Sequence, residues 1–231
     1  GRFMDMPIPS TRVLADRDLI ISGLRAILPD DAVISDPMET RAYECDALSA
    51  YACQPLAVVL PRTTAEVAAA LKVCHSLGVP VVPRGSGTSL AGGALPTADC
   101  VVLGIGRMNR VRKIDPVNNT MTVEAGCILA DLQRVAAEHN RLFPLSLGAE
   151  GSCQIGGNLS SNAGGIGVLA LRDRKPSGRR DRILRHSCPL LVGDAQGGLG
   201  TGVVLLGRPC PPLHRLLGIL ELRRERQDPT D

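Results

Sequence analysis

The alternation of apolar and polar positions predicts a mixture of helices and strands over the first part of the chain. Apolar side chains recur at near-helical spacing over residues 14–28, at Leu14, Ile21, Leu24 and Leu28. This spacing predicts an amphipathic helix that ends before Pro29. The stretch from there to about Gln54 is polar and irregular, and a short apolar strand is predicted at residues 56–60.

A β-α-β unit is predicted next. Thr63 and Glu66 have the spacing of a capping box at the start of its helix. The apolar positions of that helix share one face: Val67, Ala70, Leu71 and Cys74. Gly78 ends the helix, and the apolar residues 79–82 form the next strand. The unit has the length that a crossover between parallel strands requires.

The pattern continues as mixed α+β. Further strands are predicted at residues 100–105, 111–115 and 121–126, with a turn at 117–120. A helix is predicted at residues 128–140, with Ile128, Leu132, Val135 and Ala136 on one face. The glycine-interrupted residues 142–171 are predicted to form ordered loop and short strand.

Glycines cluster at two places. The first glycine loop (residues 83–96, PRGSGTSLAGGALP) directly follows an apolar strand, and the second glycine segment (residues 155–167) reads IGGNLSSNAGGIG. Glycine is favoured where the backbone adopts positive φ or where another group approaches it closely. A phosphate is such a group, because successive backbone N–H groups in a concave turn, a nest, bind anions.

The first glycine loop has four possible interpretations: three kinds of nucleotide-binding site and one purely structural turn. A Walker loop requires a Lys that is absent here. A Rossmann GxGxxG motif is disfavoured because Leu90 stands at the third glycine position and no helix start follows. A pyrophosphate nest formed by the N–H groups of residues 85–89, with the Thr88 and Ser89 hydroxyls as further donors, needs neither feature. The alternative is a tight surface turn that needs glycine for its geometry alone.

Composition narrows the function classes. Aromatic residues make up 2% of the chain and Trp is absent, which argues against base-stacking platforms for nucleic acid. Residues 1–171 hold 14 basic and 16 acidic side chains, whereas residues 172–231 hold 12 and 7. The basic run at 172–182 could attract phosphate or an anionic surface, but without aromatics it is more typical of a solvated tail. The two parts therefore differ in character.

Cysteine and histidine patterns favour no metal site. The eight cysteines are at least eight positions apart, and none of the four histidines has a partner at ligand spacing. With no signal peptide visible, we interpret the cysteines as reduced, mostly buried thiols of a cytoplasmic protein. No apolar run approaches the roughly 18 residues of a transmembrane helix. Asp131 and Glu150 are the acids near the glycine segments, and neither is assigned as a catalytic base.

The motifs resemble a known family. PRTTAEVAAALKVCHSLGVPVVP, RGSGTSLAGGALP and GSCQIGGNLSSNAGG occur in order. Together they resemble the FAD-binding domain of the FAD-linked oxidases, with the vanillyl-alcohol-oxidase-like fold. The branch is that of glycolate oxidase, D-lactate dehydrogenase and D-2-hydroxyglutarate dehydrogenase. The resemblance implies two α+β subdomains that enclose FAD.

The resemblance also implies which residues contact FAD. The first glycine loop would surround the pyrophosphate with Arg84, Gly85, Ser86, Gly87, Thr88 and Ser89. The backbone at Ile155, Gly156, Gly157 and Asn158 would approach the cofactor closely. Further residues would shape the same side of the site: Pro144, Gly151, Ser152, Asn162, Gly164 and Gly165. Catalytic residues are not identified.

The predicted organisation is a flexible lead-in at residues 1–11, an FAD-binding domain at 12–171 and a basic tail at 172–231. The family pattern stops after Leu171, and we interpret the tail as an out-of-frame or truncated product. The predicted function is the FAD-binding portion of an oxidoreductase that oxidises a D-2-hydroxy acid, with a small 2-hydroxy acid as substrate and an electron-transfer subunit as partner. The alternative is a non-catalytic flavin-binding fragment that depends on a partner chain.

Overall fold

A mixed sheet and an antiparallel sheet, with separate apolar cores, make up the computed structural model, which describes residues 6–161 and 163–164 and the backbone of 192–193 and 201–205. The first sheet has the order β1-β2-β4-β3. Its strands are β1 (Val33–Ile34), β2 (Ala57–Val59), β3 (Val81–Arg84) and β4 (Val101–Gly104). β1 runs antiparallel to β2, while β2 and β3 both run parallel to β4. The predicted α+β fold class is confirmed.

The predicted helix at residues 14–28 is in fact two helices, α1 (Thr11–Ala15) and α2 (Arg17–Arg25). Asp16 ends the first and precedes the second, with φ −86° and ψ 11°. The helical period does not continue across this break, so Leu14 is 39% exposed while Ile20 and Leu24 are fully buried. The polar stretch that follows forms 3-10 turns at Asp30–Ala32 and Arg41–Tyr43 and the short helix α3 (Pro37–Thr40).

The predicted β-α-β unit is confirmed as β2, helix α4 (Thr64–Ser76) and β3. The Thr63 side chain accepts a hydrogen bond from the N–H of Glu66 (3.2 Å), while the Glu66 carboxylate accepts from the N–H of Arg62 (2.7 Å). Gly78 follows the helix with φ +63°. Since β4 lies between β2 and β3, the end of β3 is at the edge of the sheet, where the first glycine loop begins.

The second sheet contains the hairpin of β5 (Val111–Asp115) and β6 (Thr120–Glu124), as predicted. Its other strands are β7 (Val192–Gly193) and β8 (Thr201–Leu205), and β8 pairs antiparallel with β6. Helix α5 (Leu129–Glu138) packs Leu129, Leu132 and Ala136 into the core of this sheet. Part of the predicted tail thus pairs with the second sheet, whereas the basic run at 172–182 lies outside the described residues.

The prediction of loop and short strand at residues 142–171 is wrong for Ile155–Ser160, which form helix α6. Two of its six residues are glycine, which has low helix propensity, so the sequence carried no helical signal. Tertiary contacts hold the segment instead: Ile155 is buried, and the N–H of Gly156 donates to the carbonyl oxygen of Ala125 (2.8 Å). Among the described residues, no helix is both long enough and apolar enough to cross a bilayer.

Candidate functional site

The first glycine loop continues from β3, and the five residues after the strand have backbone donors that are unpaired among the described residues. Gly87 has φ +70° and Gly92 has φ +74°, values that favour glycine. Within the described residues, the backbone N–H groups from Gly85 to Ser89 donate to no other residue. Five successive donors without an acceptor, in a turn that includes positive φ, have the chemistry of an anion-binding nest.

Arg84 lies beneath this loop. Its side chain is largely buried, with the whole residue 9% exposed. Nη1 donates to the carbonyl oxygens of Cys45 (2.7 Å) and Ala94 (3.4 Å), and the guanidinium carbon lies 5.6 Å from the centre of the Tyr43 ring. A Cβ on Gly87 would clash with Nη2 of Arg84, so a side chain there would displace the guanidinium. Arg84 therefore connects the loop to the segment around Cys45.

Gln154 connects the first glycine loop to the second half of the site. A Cβ on Gly85 would lie 3.2 Å from Oε1 of Gln154, and a Cβ on Gly106 would lie 3.2 Å from its Nε2. Oε1 is buried and has no hydrogen-bond partner among the described residues. The sequence analysis did not identify this residue. The only available signal was its position directly before the second glycine segment.

In the second glycine segment, adjacent glycines have different surroundings. A Cβ on Gly156 would lie 2.8 Å from the Cβ of Ala125 and 3.0 Å from its carbonyl oxygen, whereas a Cβ on Gly157 would meet no atom of the described residues within 4 Å. Asn158 is buried and donates from Nδ2 to Sγ of Cys153 (3.5 Å). Gly156 is thus required by packing inside the protein, and Gly157 faces open space.

The remaining predicted contacts lie around this helix or outside the described residues. Gly151 and Ser152 are exposed in the turn before α6, and Pro144 is half-buried between two buried side chains. Gly164 is exposed, with open space where a Cβ would lie. Asn162 and Gly165 lie outside the described residues. The structure therefore brings Arg84, the nest and the start of α6 together through Gln154. The role of the predicted site residues as FAD contacts stays a prediction.

A cavity of about 110 Å³ adjoins Gln154, between Gly106, Gly126, Cys127 and α5. Burial raises the pKa of the Cys127 thiol to about 11, so this cysteine is protonated at neutral pH and is no nucleophile. Asp131 at its edge is exposed and lies 3.5 Å from Arg134. No cluster of three or more metal-ligating side chains occurs in the described part of the chain.

The donor set fits a dinucleotide cofactor. Phosphate oxygens are acceptors only, which matches the unpaired N–H groups of Gly85–Ser89 and the nearby Arg84 cation. A family pattern described as FAD binding domain matches residues 55–172, about half of the chain. The chain belongs to the FAD-binding domain family. FAD is accordingly the cofactor of this domain.

Curated relatives share this region. A probable mitochondrial D-2-hydroxyglutarate dehydrogenase of Oryza sativa subsp. indica is 39% identical over 158 residues, which cover 68% of this chain and 28% of that protein. Glycolate oxidase subunit GlcD of Escherichia coli K12 is 40% identical over 154 residues, covering 67% of this chain and 31% of that protein. The FAD-binding domain described here thus spans less than a third of the length of these relatives.

Solved structures share the fold at low identity. An alkyldihydroxyacetonephosphate synthase matches with a TM-score of 0.66 at 16% identity, over 95% of this chain and 51% of that chain. A p-cresol methylhydroxylase with substrate bound matches with a TM-score of 0.59 at 21% identity, over 89% of this chain and 46% of that chain. These matches confirm the predicted vanillyl-alcohol-oxidase-like fold.

Proposed function

We propose that this chain is the FAD-binding portion of a flavoprotein that oxidises a D-2-hydroxy acid to the corresponding 2-oxo acid. The observation that carries the proposal is the nest at residues 85–89, with five unpaired N–H donors over a buried arginine, inside the matched family region. The names of the relatives support the substrate class, since they include D-2-hydroxyglutarate dehydrogenases and a glycolate oxidase subunit.

The chain's own residues bind and orient the cofactor. The N–H groups of Gly85–Ser89 would hold the pyrophosphate, and the hydroxyls of Thr88 and Ser89 would add donors. The backbone at Gly157, which faces open space, would allow close approach of the cofactor. When bound, FAD supplies the hydride acceptor for oxidation of the substrate Cα.

The described residues include no established proton acceptor for the substrate hydroxyl. Glu150 accepts hydrogen bonds from Ser146 (3.3 Å) and Gln133 (3.4 Å), and Asp131 is exposed beside Arg134. We therefore propose that the base and the groups that bind the substrate carboxylate come from a further domain or subunit. A partner that accepts electrons is proposed on the same basis, and the E. coli relative is itself named as a subunit.

The alternative function is a non-catalytic flavin-binding fragment. The chain spans 28% and 31% of the rice and E. coli relatives, and the activities in their names belong to those whole proteins. The cytoplasmic location stays a prediction, because the relatives include proteins named as mitochondrial.

The test is the visible absorbance spectrum of the purified chain after addition of FAD and desalting. We expect a retained flavin spectrum with one FAD per chain. Glycolate, D-lactate and D-2-hydroxyglutarate are then added separately without oxygen. Retained FAD supports the FAD-binding role, and we expect no bleaching by the chain alone because the base is proposed to come from a further domain or subunit. Bleaching by one of the three acids would identify the substrate and would overturn that placement of the base, and a colourless protein contradicts both functions.

A further inference from the structure

Arg84 is a buried cation whose charge no described carboxylate neutralises. Within the described residues its guanidinium forms no ion pair, and its hydrogen bonds go to the carbonyl oxygens of Cys45 and Ala94. The neighbouring Asp46 is also buried, but one carboxylate oxygen accepts from the N–H of Leu48 (2.9 Å) and the other has no partner in the described part of the chain. A charge removed from water without a counter-charge is costly, even when carbonyl dipoles solvate it in part.

This cation lies on the inner side of the nest. The Gly87 backbone is in contact with the guanidinium, since a Cβ there would lie 2.6 Å from its central carbon. Because both Cys45 and Ala94 anchor Nη1, the guanidinium is held below the backbone and is not free to extend toward a ligand. Arg84 is thus more deeply buried than the residues of the nest, of which Ser86 is exposed and the other four are half-buried.

The nest and the cation favour the same kind of ligand. The N–H groups offer partial positive charge at hydrogen-bond distance, and the arginine adds a full positive charge behind them. Electrostatic interactions in a partly buried region are screened less than those at the surface. An anionic group in the nest would therefore offset the cost of keeping Arg84 buried.

We propose that Arg84 is a positioning residue whose buried charge acts through the Gly85–Ser89 backbone to favour the FAD pyrophosphate, without direct contact with the phosphates. This rests on the proposed function, because it assigns the FAD pyrophosphate to the nest. It differs from the role implied by the family resemblance, in which Arg84 surrounds the pyrophosphate together with the loop.

The experiment compares Arg84→Lys with Arg84→Met in the full chain. Both variants lose the guanidinium fork and have side chains of similar length. They differ in charge and in the donors that Lys keeps for the carbonyl oxygens of Cys45 and Ala94, and the thermal midpoint without FAD reports the second difference. FAD dissociation constants are measured by quenching of flavin fluorescence, and thermal midpoints are measured without FAD. We expect the Lys variant to bind FAD about tenfold more tightly than the Met variant, with thermal midpoints that do not follow this order.

A purely structural role would give the two variants equal affinity for FAD, or affinities that follow their thermal midpoints, and either result overturns the inference. A wild-type chain that binds no FAD contradicts the proposed function instead. Each variant is also refolded across a range of FAD concentrations. If a variant unfolds without FAD, its affinity is taken from the FAD concentration that gives half of the folded signal. This concentration should then be about tenfold lower for the Lys variant than for the Met variant.

Discussion

The two sheets of the described structure differ in whether a buried charge has a partner of opposite charge. In the second sheet, Glu124 is fully buried and accepts hydrogen bonds from the Arg110 and Arg112 side chains (3.0 and 2.8 Å) and from the Arg110 N–H (2.9 Å). In the first sheet, Arg84 is buried, and among the described residues its hydrogen bonds go only to carbonyl oxygens, beside the Tyr43 ring. A buried charge that its own chain neutralises needs no ligand, whereas a charge left without a counter-charge beside unpaired donors indicates a binding site.

Replacing Glu124 gives the largest expected loss of stability. In Glu124→Leu the Arg110 N–H loses its acceptor and both guanidinium groups lose their partner. We expect the free energy of unfolding, measured in urea, to fall by about 2–3 kcal/mol. The control is Glu138→Leu, which removes the exposed pair with Arg134 and should cost less than about 0.5 kcal/mol. Equal losses in the two variants would contradict the comparison.

The second largest effect is a difference in stability between alanine substitutions at the two adjacent glycines of α6, Gly156 and Gly157. Gly156→Ala places a methyl group against Ala125, and we expect a loss of about 2 kcal/mol from overpacking. Gly157→Ala meets no atom within 4 Å and should raise stability by up to about 1 kcal/mol through helix propensity. Urea denaturation of both variants checks the order. A loss in Gly157→Ala as large as that in Gly156→Ala would show that the helix, and not the approach to Ala125, requires glycine.

Gly87→Ala tests whether the backbone of the nest, above the buried Arg84, binds FAD. Its positive φ costs a residue with a Cβ about 1–2 kcal/mol, and the new methyl group would displace the Arg84 guanidinium. We expect FAD affinity, measured by fluorescence quenching, to fall at least about tenfold, which corresponds to about 1.4 kcal/mol. Gly93→Ala is the control, because its Cβ would lie 3.9 Å from the nearest atom, Oγ of Ser89. Unchanged affinity in Gly87→Ala would place FAD elsewhere.

The smallest expected effect is the pH dependence of stability. Burial alone raises the pKa of Glu124, but hydrogen bonds from Arg110 and Arg112 outweigh it, so the pKa of this carboxyl is lowered overall. A carboxyl with a lowered folded pKa contributes stability above its unfolded pKa and loses it as the pH falls through the folded pKa. We expect the urea midpoint to decline from about pH 5 downward, and less steeply in Glu124→Leu. Parallel curves for the two proteins would contradict this.

Local patterns predicted much of the fold. Residues 56–60, 64–76 and 128–140 carry periodic apolar positions, and strands or helices occur at each of these places. The glycines of the first loop predicted either a nest or a tight surface turn, and the positive φ at Gly87 fits both because it is a property of the residue and its immediate neighbours. Such features depend on local preferences, which a sequence displays directly. The binding role of the nest stays a prediction.

Other features could not be predicted because they arise from contacts between distant residues. The break at Asp16 separates two helices that a single period had joined, and α6 forms at a segment whose glycines disfavour helix. Gln154 meets Gly85 only because β3 and the start of α6 converge. No spacing in the sequence indicates that contact.

The sequence by itself determined the class of this protein: an α+β chain with a glycine-rich loop after an apolar strand, in the FAD-binding domain family. Only the tertiary structure decided what the residues around the nest do. It buried Arg84 beneath Gly87, used the missing Cβ of Gly156 for packing against Ala125, and left Oε1 of Gln154 without a partner among the residues it describes. The physical reason is that burial and charge balance depend on which distant segments meet, and a one-dimensional pattern does not contain that information.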